Sequence, residues 1–194
     1  MREALKLSLY IFVKILSLPI WGSFYLLAKI ANRDEVTAGY SQFLSLIPGK
    51  TGVYIRKACY EAIIENGDKS AFIGFGVLFS HYDTHIHQDV YVGPQCNIGK
   101  CKIERNCLLG SGVHIMSGKK QHNFSDPDTP LKDQGGTFEM VTIGENSWLG
   151  NGALILANVG KKCVVAAGAV VIDPIPDNSI VAGNPAKVIK QRPN

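Results

Sequence analysis

The chain has 194 residues, 46% of them hydrophobic, with twenty glycines, five cysteines and a net charge of +4. That length suffices for one sizeable core with an N-terminal appendage, and the small charge, with no Lys/Arg run or stacked aromatic series, argues against a nucleic-acid partner. The cysteines (Cys59, Cys96, Cys101, Cys107, Cys163) are odd in number and lack framework spacing, which points to a reducing compartment such as the cytoplasm.

Residues 1–70 read as a helical N-terminal segment carrying nine Lys/Arg and six Asp/Glu. Leu7 to Ile30 is almost wholly apolar, interrupted by Lys14 and Lys29 and divided by Pro19. On a helical wheel Arg2, Glu3, Lys6, Tyr10, Lys14 and Ser17 fall within about 120° of arc. Leu5, Leu7, Leu9, Ile11, Phe12, Ile15 and Leu16 fill the rest, the pattern of an in-plane membrane helix. Ile20–Ile30 adds Trp21 and Tyr25, which suit the headgroup boundary. Peripheral membrane contact through residues 1–31, at the inner face of the cell membrane, competes with packing on the protein's own subunits. Lys14 and Pro19 are poorly placed for a spanning helix, and no small-x-small site marks a cleaved signal peptide.

Ser45–Lys50 reads as a turn, with Thr51 expected to cap a helix reaching about Glu65. Val53, Ile55, Ala58, Ala62 and Ile63 form its apolar side, beside Arg56 and Lys57, and Asn66-Gly67-Asp68 ends it. Such a helix suits the closing of a solenoid's open end.

From Ile86 to Val171 an aliphatic residue recurs about every six positions: Ile86, Val92, Ile98, Ile103, Leu109, Ile115, then Ile143, Leu149, Ile155, Val159, Val165, Val171. Neither a helix nor a half-buried strand has that period. A hexapeptide repeat does, each hexad forming one side and corner of a triangular β-helix. The aliphatic residue points inward. A small or slim residue four places later (Val90, Cys96, Cys107, Val113, Ser147, Ala153, Cys163, Ala169) fits the corner. Gly93, Gly99, Gly110, Gly144, Gly150 and Gly160 are read as permitting the turn. These positions predict about four coils, with slips at Ile98–Ile103 and Ile155–Val159, preceded by an irregular coil from about Ala71. The prism spans 71–174 and a C-terminal tail spans 175–194. Residues 116–142 break the rhythm, which resumes in register, so they form a loop extruded from one corner.

Ile143-Gly144-Glu145-Asn146-Ser147-Trp148-Leu149-Gly150 resembles the signature of hexapeptide-repeat acyltransferases, and the Ile175–Lys187 tail resembles their closing motif. The resemblance covers roughly 71–190 and is closest in appearance to bacterial polysaccharide and sugar O-acetyltransferases. It implies a mainly β, left-handed parallel β-helix, a homotrimer with active sites between subunits, and acetyl-CoA as acyl donor to a sugar hydroxyl. On that resemblance His122 is the catalytic base, imidazole titrating near neutrality. Trp148, Asn151, Ala167 and Gly168 are expected along the pantetheine arm. Lys187 and Lys190 are expected near the CoA phosphates. Ile172-Asp173 departs from the family's Thr-Lys and removes one phosphate contact. An oxyanion donor is unassigned, Ser80, His81, Tyr82 and Asp83 being only loosely aligned with it. A xenobiotic hydroxyl is the alternative acceptor. A zinc enzyme of the γ-carbonic-anhydrase type, from His81, His85, His87 and His114, is a lesser alternative, and no metal is expected. A non-catalytic trimeric scaffold is the last.

Overall fold

The computed structural model describes the backbone of residues 2–193 and the side chains of residues 7–193. Arg2, Glu3, Leu5 and Lys6 of the wheel therefore lie outside the described side chains. Helices α1 (Arg2–Leu16) and α2 (Leu18–Leu27) meet at Ser17 with a bend of 48°. Pro19 lies in the first turn of α2, where a missing N–H breaks no helical bond. Among the described residues no single helix is long and apolar enough to cross a membrane.

Helix α3 (Arg33–Ser45) is an element the periodicity does not reveal. Its signal is the cap: Asn32 Oδ1 accepts the N–H groups of Asp34 (2.8 Å) and Glu35 (3.3 Å). Helix α4 (Gly49–Ile63) begins earlier than expected. Thr51 is inside its first turn and does not cap it. Pro48 holds the cap position in extended conformation, and its carbonyl accepts the Gly52 N–H (3.2 Å).

Arg56, read from sequence as flanking an apolar face, is fully buried. Its guanidinium donates to the carbonyls of Ile73 (3.0 Å), Leu44 (3.2 Å) and Ile47 (2.6 Å). It thus satisfies the C-terminal end of α3 and the first coil together. Ser41 Oγ accepts the Phe79 N–H (2.6 Å), and the Ser45 carbonyl accepts the Gly76 N–H (3.1 Å). Helices α3 and α4 close the prism's first end through these bonds.

The prism has three parallel faces. Face A runs through Asn66–Gly67, His85–Ile86, Cys101–Ile103 and Val141–Ile143, and bridges extend it to Val159 and Ile175. Face B runs through Phe72–Ile73, Tyr91–Val92, Leu108–Leu109, Trp148–Leu149, Val164–Val165 and Ser179–Gly183, edged by antiparallel Ala186–Gln191. Face C runs through Leu78–Phe79, Asn97–Ile98, His114–Ile115, Leu154–Ile155 and Val170–Val171. The chain makes about six turns: the expected four, the first coil anticipated from about Ala71, which begins at Asn66, and a sixth that ends on face B.

All twelve predicted inward residues are at most 2% exposed, and all eight small corner residues are buried. Both slips fall where the chain passes from face C to face A. The cysteines do more than fill space. Cys96 Sγ approaches the Gly110 carbonyl (3.1 Å), Cys107 Sγ that of Gly144 (3.2 Å) and Cys163 Sγ that of Pro176 (3.1 Å). Ser147 Oγ donates likewise to the Gly160 carbonyl (2.8 Å). Each corner thiol or hydroxyl thus reaches a carbonyl of the next coil.

The glycine reading needs correction. None of the six glycines that follow inward residues has positive φ. The left-handed corner positions are held by Asp89, Gln95, Asn106, Asn146, Lys162 and Asn178, and by other glycines such as Gly112. The six are needed because neighbouring coils leave no room for a side chain. A Cβ on Gly144 would stand 2.5 Å from the carbonyl carbon of Gly160. Gly144→Ala is therefore expected to lower unfolding free energy by about 1–3 kcal/mol, measured by urea denaturation.

Candidate active site

Residues 116–142 leave face C after Ile115 and return to face A at Val141, whose N–H bonds to the Lys100 carbonyl (3.1 Å). The two arms of this segment are zipped together. Glu139 N–H donates to Ser117 O (2.8 Å), Thr137 N–H to Lys120 O (2.7 Å) and Asn123 N–H to Gly135 O (2.9 Å). At Gly136 they touch so closely that a Cβ would stand 1.9 Å from Gln121 O and 2.8 Å from His122 N. Lys119 pairs with Asp173 (3.2 Å) at the base. Asp173, the departure noted in the sequence, thus ties this stalk to a later coil. Gln134 Nε2 gathers the tip by donating to the carbonyls of Asp126 (2.7 Å) and Thr129 (2.8 Å). His122 lies between Gln121 and Asn123 on the zipped part, flanked by the Lys120–Thr137 and Asn123–Gly135 bonds, with its side chain exposed.

A groove of about 270 Å³ opens between face C, helix α3 and the base of the stalk. Gln42, Ser80, Asn97, His114, Ser117 and Gln121 provide its polar lining. His122 is the next residue along the stalk and does not itself line the groove of one protomer. Asn97 and His114 face each other across adjacent coils. Asn97 is missing from the sequence reading, yet it had a signal. The outward positions of face C are Leu78, Asn97, His114, Leu154 and Val170, so two consecutive polar residues interrupt an aliphatic column. An amide there presents N–H donors to the groove. Ser80 and His81 hydrogen-bond to each other (2.9 Å), and the His81 ring rests against Phe138 of the stalk (5.0 Å between centroids).

The remaining predicted residues fall in three places. Asn151, Ala167 and Gly168 share the edge between faces B and C, where the Gly168 N–H donates to Asn151 O (2.9 Å). Asn151 Oδ1 accepts the Ser111 N–H on the same edge (3.1 Å). Trp148 stands outward on face B, 51% exposed. Lys187 and Lys190 are exposed on the final strand, opposite Ala182 and Ile180. Among the described residues neither has a carboxylate partner.

The other histidines are dispersed. His85 pairs with Glu65 (3.2 Å), and burial together with nearby Lys102 lowers the pKa of His87. Among the described residues no three His, Cys, Asp or Glu side chains converge as a metal-ligand set.

Residues 83–117 match the family model described as bacterial transferase hexapeptide (six repeats). The chain is 32% identical over 125 residues to the "Putative lipopolysaccharide biosynthesis O-acetyl transferase WbbJ" of Escherichia coli K12, covering 61% of this chain and 62% of that one. Against the first three curated relatives it spans between 34% and 62% of their length. The structure of a maltose O-acetyltransferase from Clostridium difficile 630 superposes with TM-score 0.71 at 22% identity, covering 84% of this chain and 90% of that one. A galactoside acetyltransferase in complex with coenzyme A gives 0.65 at 20% identity, covering 84% of each. The fold is the left-handed β-helix of these proteins. Residues 83–117 carry the hexapeptide repeat, and the chain resembles hexapeptide-repeat acyltransferases in repeat, sequence and fold.

Because the arms touch at Gly136, Gly136→Ala is expected to part the stalk while leaving the prism intact. Hydrogen exchange checks this: protection at the Asn123 and Thr137 amides falls, while the unfolding midpoint stays close to that of the parent.

Proposed function

We propose that the chain is an acetyl-CoA-dependent O-acetyltransferase that transfers acetyl to a sugar hydroxyl in cell-surface polysaccharide synthesis, working in the cytoplasm as a homotrimer. The observation that carries this reading is His122 fixed on a zipped stalk, one residue from a polar groove. WbbJ and the maltose and galactoside enzymes support the acceptor class. The coenzyme A complex of the galactoside enzyme supports the donor.

In this reading His122 takes the proton of the acceptor hydroxyl as its oxygen attacks the thioester carbonyl. A C–O bond forms, the C–S bond breaks, and the proton passes from the imidazolium to the CoA thiolate. The Asn97 amide is a donor for the oxyanion formed on the way. The edge formed by Asn151, Ala167 and Gly168 receives the pantetheine arm, with Trp148 as its packing surface. Lys187 and Lys190 meet the phosphates. A sister subunit completes the cleft. The outward row Tyr91, Leu108 and Trp148 on face B, each at least 40% exposed, supports such a neighbour, since a row of exposed apolar side chains marks a contact surface. The five free, buried cysteines support a reducing compartment and leave no nucleophilic thiol for an acyl-enzyme.

His122→Ala is expected to reduce turnover by about 10²–10⁴ with acetyl-CoA still bound. Steady-state assays over a panel of sugar and xenobiotic acceptors, with calorimetry for the donor, check this. Unchanged turnover in a folded variant would remove the base. Initial-rate patterns should be sequential, and a ping-pong pattern would contradict direct attack.

A further inference from the structure

Helix α1 is mounted the wrong way round for a soluble helix. Tyr10 and Lys14, both on its polar stripe, turn inward to Glu61 of α4, Lys14 at 2.6 Å. Lys57 of α4 lies over the Tyr10 ring (5.7 Å). The apolar stripe consequently faces out: Phe12 is 62% exposed, Ile15 66% and Leu16 67%. Leu18, Leu26 and Ile30 continue it along and beyond α2. Exposed apolar side chains this numerous on two adjoining helices mark an interaction surface.

Beside it, a groove of about 520 Å³ opens between α2 and α3. Its lining is hydrocarbon apart from the hydroxyls of Ser23 and Tyr40, which hydrogen-bond to each other (2.5 Å). No polar group is left there to recognise a peptide or a headgroup, so the groove fits an aliphatic chain. Lys29 sits exposed between Leu27 and Ile30, and Arg33 follows at the start of α3 over the Tyr82 ring. Among the described residues neither has a carboxylate partner, and residues 1–70 carry a surplus of three positive charges. Cations at the margin of an apolar face match an anionic lipid surface. Helix α3 joins the two regions. Val36, Gly39, Tyr40 and Phe43 wall the apolar groove, while Ala38 and Gln42 wall the polar groove beside His122.

We infer that α1 and α2 lie in an anionic lipid monolayer, and that the acceptor is a lipid-linked saccharide whose chain stays on the apolar side of α3 while its sugar enters the polar groove. The second half rests on the acetyl-transfer reading, and the first does not. An outward apolar stripe buries into the acyl boundary, and the bend between the helices lets both lie in the plane of the surface. The wheel expectation is thereby altered for the described residues: Tyr10 and Lys14 anchor the helix to its own domain, and Lys29 and Arg33 are cations available to headgroups.

The test is flotation of the full chain with phosphatidylcholine–phosphatidylglycerol vesicles and with phosphatidylcholine vesicles. It is run beside the variants Phe12→Glu, Ile15→Glu and Leu26→Glu, with light scattering in solution. The parent should float, more strongly with the anionic lipid, and each variant should lose about tenfold in partitioning. Oligomeric state and transfer to a soluble sugar should not change. Addition of vesicles should raise transfer to a lipid-linked saccharide in the parent and not in the variants. A parent that stays in solution, or variants that lose their oligomeric state, would overturn the docking. The second result would make the face a contact between subunits. Flotation without acetyl transfer to any acceptor would leave the docking standing and remove the catalytic reading instead.

Discussion

The distance between neighbouring coils governs this molecule. Parallel strands stack about 4.8 Å apart, and at that spacing the residue after each inward aliphatic side chain lies against the backbone of the next turn. Glycine occupies that position in several coils for want of space. The same spacing brings corner thiols and the Ser147 hydroxyl within reach of the following coil's carbonyls. The turn at each corner, by contrast, places residues such as Asn106 and Asn146 in the left-handed conformation, which their short polar side chains tolerate better than most. The repeat distance therefore selects glycine and the small corner residues, and the buried aliphatic column supplies the favourable burial.

Closing the first end of that column determines where the groove lies. An open coil would expose unpaired backbone groups. Here Arg56 takes three carbonyls and Ser41 takes one N–H, and these bonds lock α3 beside face C. Once locked there, α3 becomes a wall of the polar groove on one side and of the apolar groove on the other. The buried guanidinium thus helps to place one wall of the polar groove. Burying a cation without a carboxylate is unfavourable, and the converging carbonyl dipoles are what offset it.

Much of this was legible in the sequence because the repeat writes itself in side-chain size. Ile86 through Val171 disclosed the inward column, and the gap between Ile115 and Ile143 disclosed the stalk. The role of the glycines was misread, since a sequence shows that a side chain is missing and not whether conformation or contact demands it. Helix α3 escaped because its apolar spacing is weak and only the Asn32 cap announces it. Asn97 escaped because one polar residue in a hexad looks like any solvated position until the aliphatic column around it is drawn. The described part of the α1 wheel shows two stripes, but no wheel says which stripe meets the protein, and Glu61 settles that for Lys14 from 47 residues away. The residues expected around the donor were found by resemblance alone; their spacing along the chain gave no hint that Asn151 and Gly168 stack on one edge.

The stalk divides the labour within residues 116–142. Its zipped arms flank His122 with backbone bonds, whereas among the described residues the tip beyond Asn123 makes its hydrogen bonds within itself and to those arms. Residues of the tip can therefore be exchanged, lengthened or shortened during evolution without breaking the bonds on either side of His122. A lineage can rewrite about ten letters there while the rest of the chain is inherited unaltered.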